Sequence, residues 1–368
     1  MSQPTHQEEP PPGDGQPTTF LAEVRDSIAP RTVGLVVGVL LLQLGFILSY
    51  VGAFHAPKPH HISIAIVAPA QDSATLVREI NAIPSGPLRA RPASDERAAR
   101  SRVSHGTISA ALIVNATGST DTLLVASGGG VSVVTAVEQV TTQIEGTEHR
   151  TVNVVDLVPL QRGDARGLAG FYLVVGWIVG GYLVAAVLGI ARGARPANPR
   201  RAVIRLLSVV PYAMASGLGG ALVVDQILGA LTGHYLALAA VGTLLVFGAA
   251  AVTMAFQVLL GVLGIGMTLL VFVVLGNPSA GGAYQPALLP PFWRAISTAL
   301  PNGAGTDSVR RIVYFGSRGI TEHLIVLTTY VVAGVLVTLG ASLLRAKRES
   351  RPTPSVGAPA RPTIGEIS

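Results

Sequence analysis

The sequence predicts a polytopic α-helical membrane protein with six transmembrane helices and an α/β extracytoplasmic domain inserted between helices 1 and 2. Three observations predict this fold class. Only 12% of the 368 residues are charged, about half of the roughly 25% usual in soluble proteins. The charges avoid six stretches of 17 to 23 residues, lengths that suit a hydrocarbon core roughly 30 Å thick. A charged region with mixed strand and helix periodicity separates the first stretch from the other five.

Two residue types narrow the possible chemistry. Cysteine is absent, which excludes disulfides, thiolate zinc sites and cysteine nucleophiles. Lys58 and Lys347 are the only lysines and neither follows a glycine, so a Walker-type phosphate loop is excluded.

Two prolines beside His55, His60 and His61 disfavour a preformed metal site. No paired carboxylates or Ser-His-Asp arrangement stand out, so we expect neither an enzyme nor a cofactor, and the basic residues cluster beside apolar stretches rather than forming a nucleic-acid surface.

The N-terminal region precedes the first span. Residues 1–17 are rich in Pro, Glu and Gln, a composition that predicts a disordered cytoplasmic tail. Residues 18–30 place apolar side chains on one helical face and Glu23 and Asp26 on the other, which predicts an amphipathic helix on the membrane surface. An ordinary helical lead-in is the alternative. The first span follows at 32–54.

Residues 55–167 have the pattern of an α/β domain with a core of its own. Alternation of apolar and polar residues marks the strands, and apolar residues at spacings of three and four mark the helices. The predicted elements are, in order, strand HISIAIVAP, helix DSATLVREINA capped by Asp72 or Ser73, strand PLRARPAS, helix SDERAARSRV, strands TISAALIVN and TDTLLVAS, helix VSVVTAVEQVTTQI and strand TVNVVDLVPL.

Residues 168–344 form the predicted membrane domain, with a tight turn near Gln257 between spans four and five. Its uncharged stretches are 168–190, 206–224, 235–256, 259–275 and 324–344. Short basic clusters follow the second and sixth spans, and residues 345–368 are proline-rich, as expected of a disordered cytoplasmic tail. The positive-inside rule then places both termini in the cytoplasm and 55–167 outside a cytoplasmic membrane.

The segment 276–323 lies outside in this topology and contains four arginines, contrary to the usual bias of short external loops. Apolar residues including Trp293 recur at helical spacing, and Asp307 or Ser308 could cap a second helix through Phe315. We therefore expect interfacial amphipathic helices whose arginines reach the lipid headgroups.

This segment resembles the external segment before the last span in type-2 ABC exporter permeases, particularly the phage-infection-protein (Pip) branch. The matching positions are Gly281, Gly282, Tyr284, Pro286, Leu289, Pro290, Phe292, Leu300, Pro301 and Arg310. The layout of surface helix, span, long external domain and five further spans is similar as well. Gln285 between the aromatic residue and the proline departs from the pattern. The resemblance implies a permease subunit that works as a homodimer or heterodimer with a separate ATP-binding-cassette ATPase.

Such a subunit needs a cytoplasmic surface where the ATPase can dock, and little of the chain is available for one. The predicted coupling surface combines the segment 18–30 with the loop between spans two and three. Its charged residues are Glu23, Asp26, Arg192, Arg195, Arg200, Arg201 and Arg205. Orientation and lipid attraction alone would also explain the arginines. A receptor or scaffold whose external domain binds a partner is the alternative function, and uncharged spans disfavour an ion-coupled transporter.

Overall fold

The computed structural model describes residues 30–195 and 198–349. The predicted tail 1–17, the predicted surface helix 18–30 except Pro30, and residues 350–368 lie outside the described residues. Helix α1 runs over Pro30–Phe54. The chain divides after Gly45 into two compact units, and the described part of the first is the beginning of α1. All other elements belong to the second unit, which begins at Phe46.

An α/β region follows α1. Its elements are β1 (Ile62–Val67), α2 (Ala70–Asn81), β2 (Leu88–Pro92), α3 (Glu96–Ser104), β3 (Ala110–Ile113), β4 (Thr120–Val125), α4 (Val131–Thr147) and β5 (Thr151–Asp156). The five predicted strands and three predicted helices are all present, but the predicted cap of α2 is wrong. Pro69 occupies the cap position without a side-chain hydrogen bond. Because α2 starts at Ala70, Asp72 lies inside the first turn, where its carboxylate faces the positive end of the helix dipole.

The strands form one sheet in the order β2-β1-β3-β4-β5. Every neighbouring pair is parallel except β3 and β4, which are antiparallel. In the register, Ile64 of β1 lies between Ala90 and Ala110. Parallel neighbours need a crossover connection, and helices α2 and α4 provide it for β1–β2 and β4–β5.

Each face of the sheet has a buried cluster of its own. Successive side chains of a strand point to opposite sides of the sheet, so β1 contributes to both clusters. Ile62, Ile64 and Ile66 of β1 share one buried cluster with residues of α2 and α4. Ala65 of β1 belongs to a second cluster with residues of α3 and with Phe315, from far along the chain. The sheet core is therefore completed by a residue outside the α/β region.

An ion cluster joins the start of β4 to the end of α4. Arg150 Nε lies 2.7 Å from Asp121 Oδ2 and 3.5 Å from Glu145 Oε2, and both carboxylates are buried. Burial by itself raises the pKa of Asp121. Hydrogen bonds from the Arg150 side chain and from the backbone N–H of Asn115 have the opposite effect, and together they hold that pKa below its ordinary value. Burial and the adjacent Asp121 raise the pKa of Glu145 to about 7. Glu145 therefore holds its proton more tightly in the folded protein than in the unfolded chain.

The C-terminal half is a helical bundle. Its long helices are α5 (Ala169–Arg192), α6 (Pro199–Leu222, continued by a π-helical turn Val223–Ile227), α7 (Tyr235–Leu260) and α11 (Thr321–Glu349). Together with α1, these are the five described helices that are long and apolar enough to cross a membrane, and the chain is a polytopic helical membrane protein on that ground. Because α11 continues to Glu349, residues 345–349 are helical and not part of a disordered tail.

The predicted fifth span, 259–275, corresponds to a shorter apolar helix. α8 (Leu263–Leu269) continues through a π-helical turn (Leu270–Gly276) and a last short turn to Ser279. Its 17 residues reach about 25 Å, less than the hydrocarbon core of about 30 Å. Six spans remain a prediction for this reason.

The turn after α7 lies later than predicted. It falls at Gly261, whose φ of 66° favours glycine. Gln257 is buried inside the bundle, and its Nε2 donates a hydrogen bond of 3.2 Å to the carbonyl of Ala185 on α5. The polar side chain that suggested an exposed turn is instead a contact between two helices. α7 is the most buried of the five long helices and lies at the centre of the bundle.

Candidate functional site

The segment before α11 folds into three short elements. They are a 3-10 turn (Pro286–Leu288), α9 (Pro291–Ser297) and α10 (Pro301–Phe315). α10 begins several residues earlier than predicted, because extended Leu300 is followed by Pro301 in the first turn, where proline's missing amide costs no helical hydrogen bond. Asp307 therefore lies in the middle of the helix and caps nothing.

Several motif residues attach this segment to the end of α1. Leu289 and Trp293 share a buried cluster with Ala53, and the Tyr284 ring centroid lies 5.8 Å from that of Phe54. Among the other motif positions, Gly282 lies against the ring of Phe171 and Gly281 lies beside Pro286, while Pro290 precedes α9 and Phe292 is exposed. These motif residues therefore pack the segment against α1 and α5. Trp293 is buried by described residues and does not face lipid, contrary to the prediction.

α10 is buried, which differs from the predicted interfacial helix. Residues 301–306 are all buried, and Val309 and Ile312 belong to the same core as Leu245 of α7. Small residues allow this close packing, and the hydroxyl of Thr306 donates to the Asn302 carbonyl at 2.8 Å. Internal hydrogen bonds of this kind make a polar helix tolerable in an apolar bundle.

The arginines of α10 bind protein groups rather than extending freely. Arg310 forms an ion pair with Asp307 at 2.6 Å and donates to the Gly281 carbonyl at 2.9 Å. Arg311 donates to the Arg318 carbonyl at 2.9 Å. Arg310 and Gly281, two positions of the motif, are therefore joined by a hydrogen bond. Contacts with protein groups, rather than the predicted contacts with lipid headgroups, fix the positions of Arg310 and Arg311.

α10 joins the helical bundle to the α/β region. At its first turn, Asn302 Nδ2 donates to the Phe272 carbonyl at 2.9 Å and to Asn277 Oδ1 at 2.8 Å. At its last turn, the Tyr314 hydroxyl donates to Asp164 Oδ2 at 2.7 Å, and Phe315 packs in the sheet core. Burial raises the pKa of Tyr314, and Asp164 raises it further, so the tyrosine remains a donor at physiological pH.

The sequence pattern predicts the end of this helix at Phe315, as observed, but it does not predict the contacts of Asn302, Tyr314 and Phe315. The aromatic pair Tyr314–Phe315 directly before Gly316 was an available signal, since a left-handed glycine commonly ends a helix. Asn302 and Asp164 offered no local signal, because their partners are about 25 and 150 positions away along the chain. These contacts follow from the tertiary arrangement alone.

The predicted coupling arginines lie around the connection from α5 to α6. Arg205 donates to the carbonyls of Arg192 and Gly193 at 2.8 Å each, and Arg195 reaches the carbonyl of Leu259 at 3.4 Å. Both side chains therefore satisfy helix C-terminal carbonyls, a common use of arginine. The other three predicted arginines, Arg192, Arg200 and Arg201, are exposed, and their side chains form no hydrogen bond with a described residue. Glu23 and Asp26 lie outside the described residues.

The described residues contain no group of three or more His, Asp or Glu that could hold a metal ion. The ring centroids of His60 and His61 lie 3.9 Å apart, and the two rings are tilted by 32°. His55 Nδ1 lies 3.0 Å from the carbonyl of Val51. The three histidines are therefore spread along a short connection and do not converge on one point.

The buried link formed by α10 and the exposed pair Arg200–Arg201 are the arrangements from which a function can be argued. The first connects two structurally different parts of the chain, and the second offers positive charge without a partner among the described residues at one end of the bundle. No family model matches the chain, and neither a curated protein nor a solved structure matches it.

Proposed function

We propose that the chain is the membrane subunit of an ATP-binding-cassette exporter, driven by a separate ATPase and paired with a second permease chain. The observation that carries the proposal is the link formed by α10. Rocking of a helical bundle can act on a domain outside it only through a connection that does not deform. Close-packed interiors transmit such displacement, and α10 has one end fixed by Asn302 in the bundle and the other by Phe315 in the sheet core.

The distribution of charge supports a docking surface at one end of the bundle. α11 runs beside α7 in the same direction, with Thr338 contacting the Ala251 carbonyl and Val331 lying near Gly248. The C-terminal end of α11, with its basic residues, therefore lies at the same end as the arginines between α5 and α6. The positive-inside rule supports a cytoplasmic position for this end, where a soluble ATPase could reach it.

Cysteine labelling tests this orientation, and the native chain has no cysteine to interfere. Ser119 is exposed before β4, and Arg200 is exposed at the start of α6. We expect a membrane-impermeant thiol reagent added to intact cells to modify Ser119→Cys but not Arg200→Cys. After permeabilisation, both variants should react. Modification of Arg200→Cys in intact cells would contradict the proposed orientation.

Docking itself is tested by removing two exposed arginines whose side chains have no partner among residues 30–195 and 198–349. We expect Arg200→Ala/Arg201→Ala to reduce ATPase copurification in mild detergent by about tenfold or more, since two desolvated charge contacts are worth about 1.4 kcal/mol or more. The Ser119→Cys labelling pattern should be unchanged in this background, because Arg192, Arg195 and Arg205 remain.

Lys347→Ala/Arg348→Ala is the matched control, since it also removes two exposed positive charges from the same end of the bundle. Copurification should survive in this control. Equal loss in both double variants would indicate general charge attraction instead of a docking site. If no ATPase copurifies with the wild-type protein and export is unaffected by deletion, the receptor or scaffold function is favoured.

A further inference from the structure

A cavity lined by both polar and apolar residues lies between the sheet and the segment that carries α10. Its volume is about 300 Å³, at the lower end of the range for small-molecule sites. The start of β1, the loops before β3 and after β4, and the first turn of α4 form one wall. The 3-10 turn and the C-terminal half of α10 form the other. The cavity therefore bridges the two parts that α10 connects.

One largely buried side chain in this cavity has an amide donor that makes no hydrogen bond to a described residue. Gln285 is only 7% exposed, and its Oε1 accepts a hydrogen bond from the hydroxyl of Ser132. Its Nε2 has no partner among residues 30–195 and 198–349. A Cβ on Gly130 would lie 2.1 Å from the Cδ of Gln285, so glycine at that position leaves the space that the amide occupies. The amide N–H groups of Gln285 are therefore available to an acceptor that enters the cavity.

Two guanidinium groups line the same cavity. Arg310 uses its two terminal nitrogens on Asp307 and Gly281, and its Nε has no partner in the described chain. Arg311 uses Nε and Nη1, and its Nη2 is similarly free within the described residues. Asp307 balances one of the two positive charges. The cavity wall therefore has an excess of one positive charge and several free N–H donors.

The rest of the wall is largely apolar. Ile108, Val133 and Val134 line the cavity on the side opposite the arginines, and Phe315 lines it on the arginine side. Ser63 of β1 and Ser109 before β3 contribute hydroxyl groups. An inorganic anion would leave this apolar surface without a partner, whereas an uncharged apolar molecule would leave the guanidinium groups unpaired. Only a molecule with one anionic group and an apolar body satisfies both halves.

We propose that this cavity binds a small organic anion, with its carboxylate against Arg311 and the Gln285 amide and its apolar body against Val133 and Val134. Charge-assisted hydrogen bonds from guanidinium to carboxylate provide the recognition. The ligand contacts both the sheet and α10, so its binding stabilises the contact between them. This inference is independent of the proposed transport function.

The test uses the full-length protein purified in a neutral detergent and titrated with benzoate as the probe. We expect saturable benzoate binding by calorimetry or saturation-transfer NMR. Benzamide, which has the same shape without the charge, should bind at least about tenfold more weakly, and so should inorganic phosphate. Equal binding of benzoate and benzamide, or binding of phosphate alone, would refute an organic anion site.

Variants locate the binding in this cavity. Arg311→Gln should weaken benzoate binding about tenfold or more, and Thr107→Trp should block the exposed rim without altering a buried contact. Arg318→Gln is the matched charge control, since Arg318 is exposed and contacts Arg311 only through its backbone carbonyl. Full binding by folded Thr107→Trp would contradict the proposal. Displacement of benzoate by phosphatidylglycerol vesicles, but not by a soluble acid such as phenylacetate, would assign the site to a lipid headgroup and overturn it.

Discussion

Gly303→Ala is expected to leave little or no folded protein after extraction in mild detergent. A Cβ at this position in α10 would lie 1.9 Å from the carbonyl oxygen of Ser297, far inside contact distance. The clashing atom belongs to the backbone, so no side-chain rotation relieves it. Gly303 is also buried between helices that cannot move apart without losing packing. We expect a cost above about 4 kcal/mol, which is exceptional for one methyl group.

The measurement is the fraction of monodisperse protein by size-exclusion chromatography, followed by the thermal midpoint of any folded material. Gly340→Ala in α11 is the control, because a Cβ there meets no atom within 4 Å. It should behave like the wild type or be slightly more stable, by up to about 1 kcal/mol, since alanine favours helices over glycine. A Gly303→Ala midpoint equal to that of Gly340→Ala would contradict the close packing of α10.

Arg150→Gln is expected to destabilise the β4–β5 edge of the sheet by about 3 to 5 kcal/mol near neutral pH, as is typical when one partner of a buried ion cluster is removed. Asp121 and Glu145 would then face each other without the positive charge that holds them. Hydrogen exchange of peptides covering Thr120–Val125 and Thr151–Asp156 in the full-length protein measures the effect. Arg100→Gln is the control, because the pair that Arg100 forms with Glu96 is exposed and should contribute about 0.5 kcal/mol or less.

The same cluster gives the wild-type protein a pH dependence whose sign follows from Glu145. Its pKa is raised to about 7 in the folded protein, so the folded state holds this proton more tightly than the unfolded state. The stabilisation is complete below the ordinary glutamate pKa and is lost as the pH rises through about 7. Asp121 has a lowered pKa and titrates below this window. Opening of β4 and β5 should therefore become easier between about pH 5 and pH 8, by up to about 3 kcal/mol.

Glu145→Gln separates this effect from others. Glutamine keeps the shape of the protonated acid but cannot ionise, so the pH dependence should disappear and the edge should be more stable than in the wild type at about pH 8. Exchange rates must be corrected for the intrinsic effect of pH on amide exchange. An unchanged pH profile in Glu145→Gln would assign the dependence to another group.

The α/β region could be predicted because its signals are local. Strand alternation in ISIAIV and helical spacing in SATLVREI act over a few residues, so both patterns can be recognised in a short window of sequence. The paired strands β3 and β4 were equally visible, as consecutive apolar runs joined by the short loop around Asn115.

The polar residues of the bundle could not be predicted in the same way. Gln257 suggested a turn because a polar residue in an apolar run is usually exposed, yet the Ala185 carbonyl gives it a buried partner. The sequence PNGAGTD reads as a loop by propensity, but its small residues are what allow α10 to enter the bundle. In both cases a contact with a distant helix overrides the local preference, and no spacing in the sequence encodes that contact.

The position of Phe315 in the sheet core has a consequence for how this protein can be recombined. A chimera that exchanges the residues between α1 and α5 takes the sheet and Asp164 from the donor but keeps Tyr314 and Phe315 of the recipient. The contact of Phe315 with the sheet core and the hydrogen bond from Tyr314 to Asp164 would then join residues of two different parents. The transplantable unit is therefore discontinuous and consists of the α/β region plus the end of α10. Homologous exchange across this boundary should succeed only when both pieces come from the same parent.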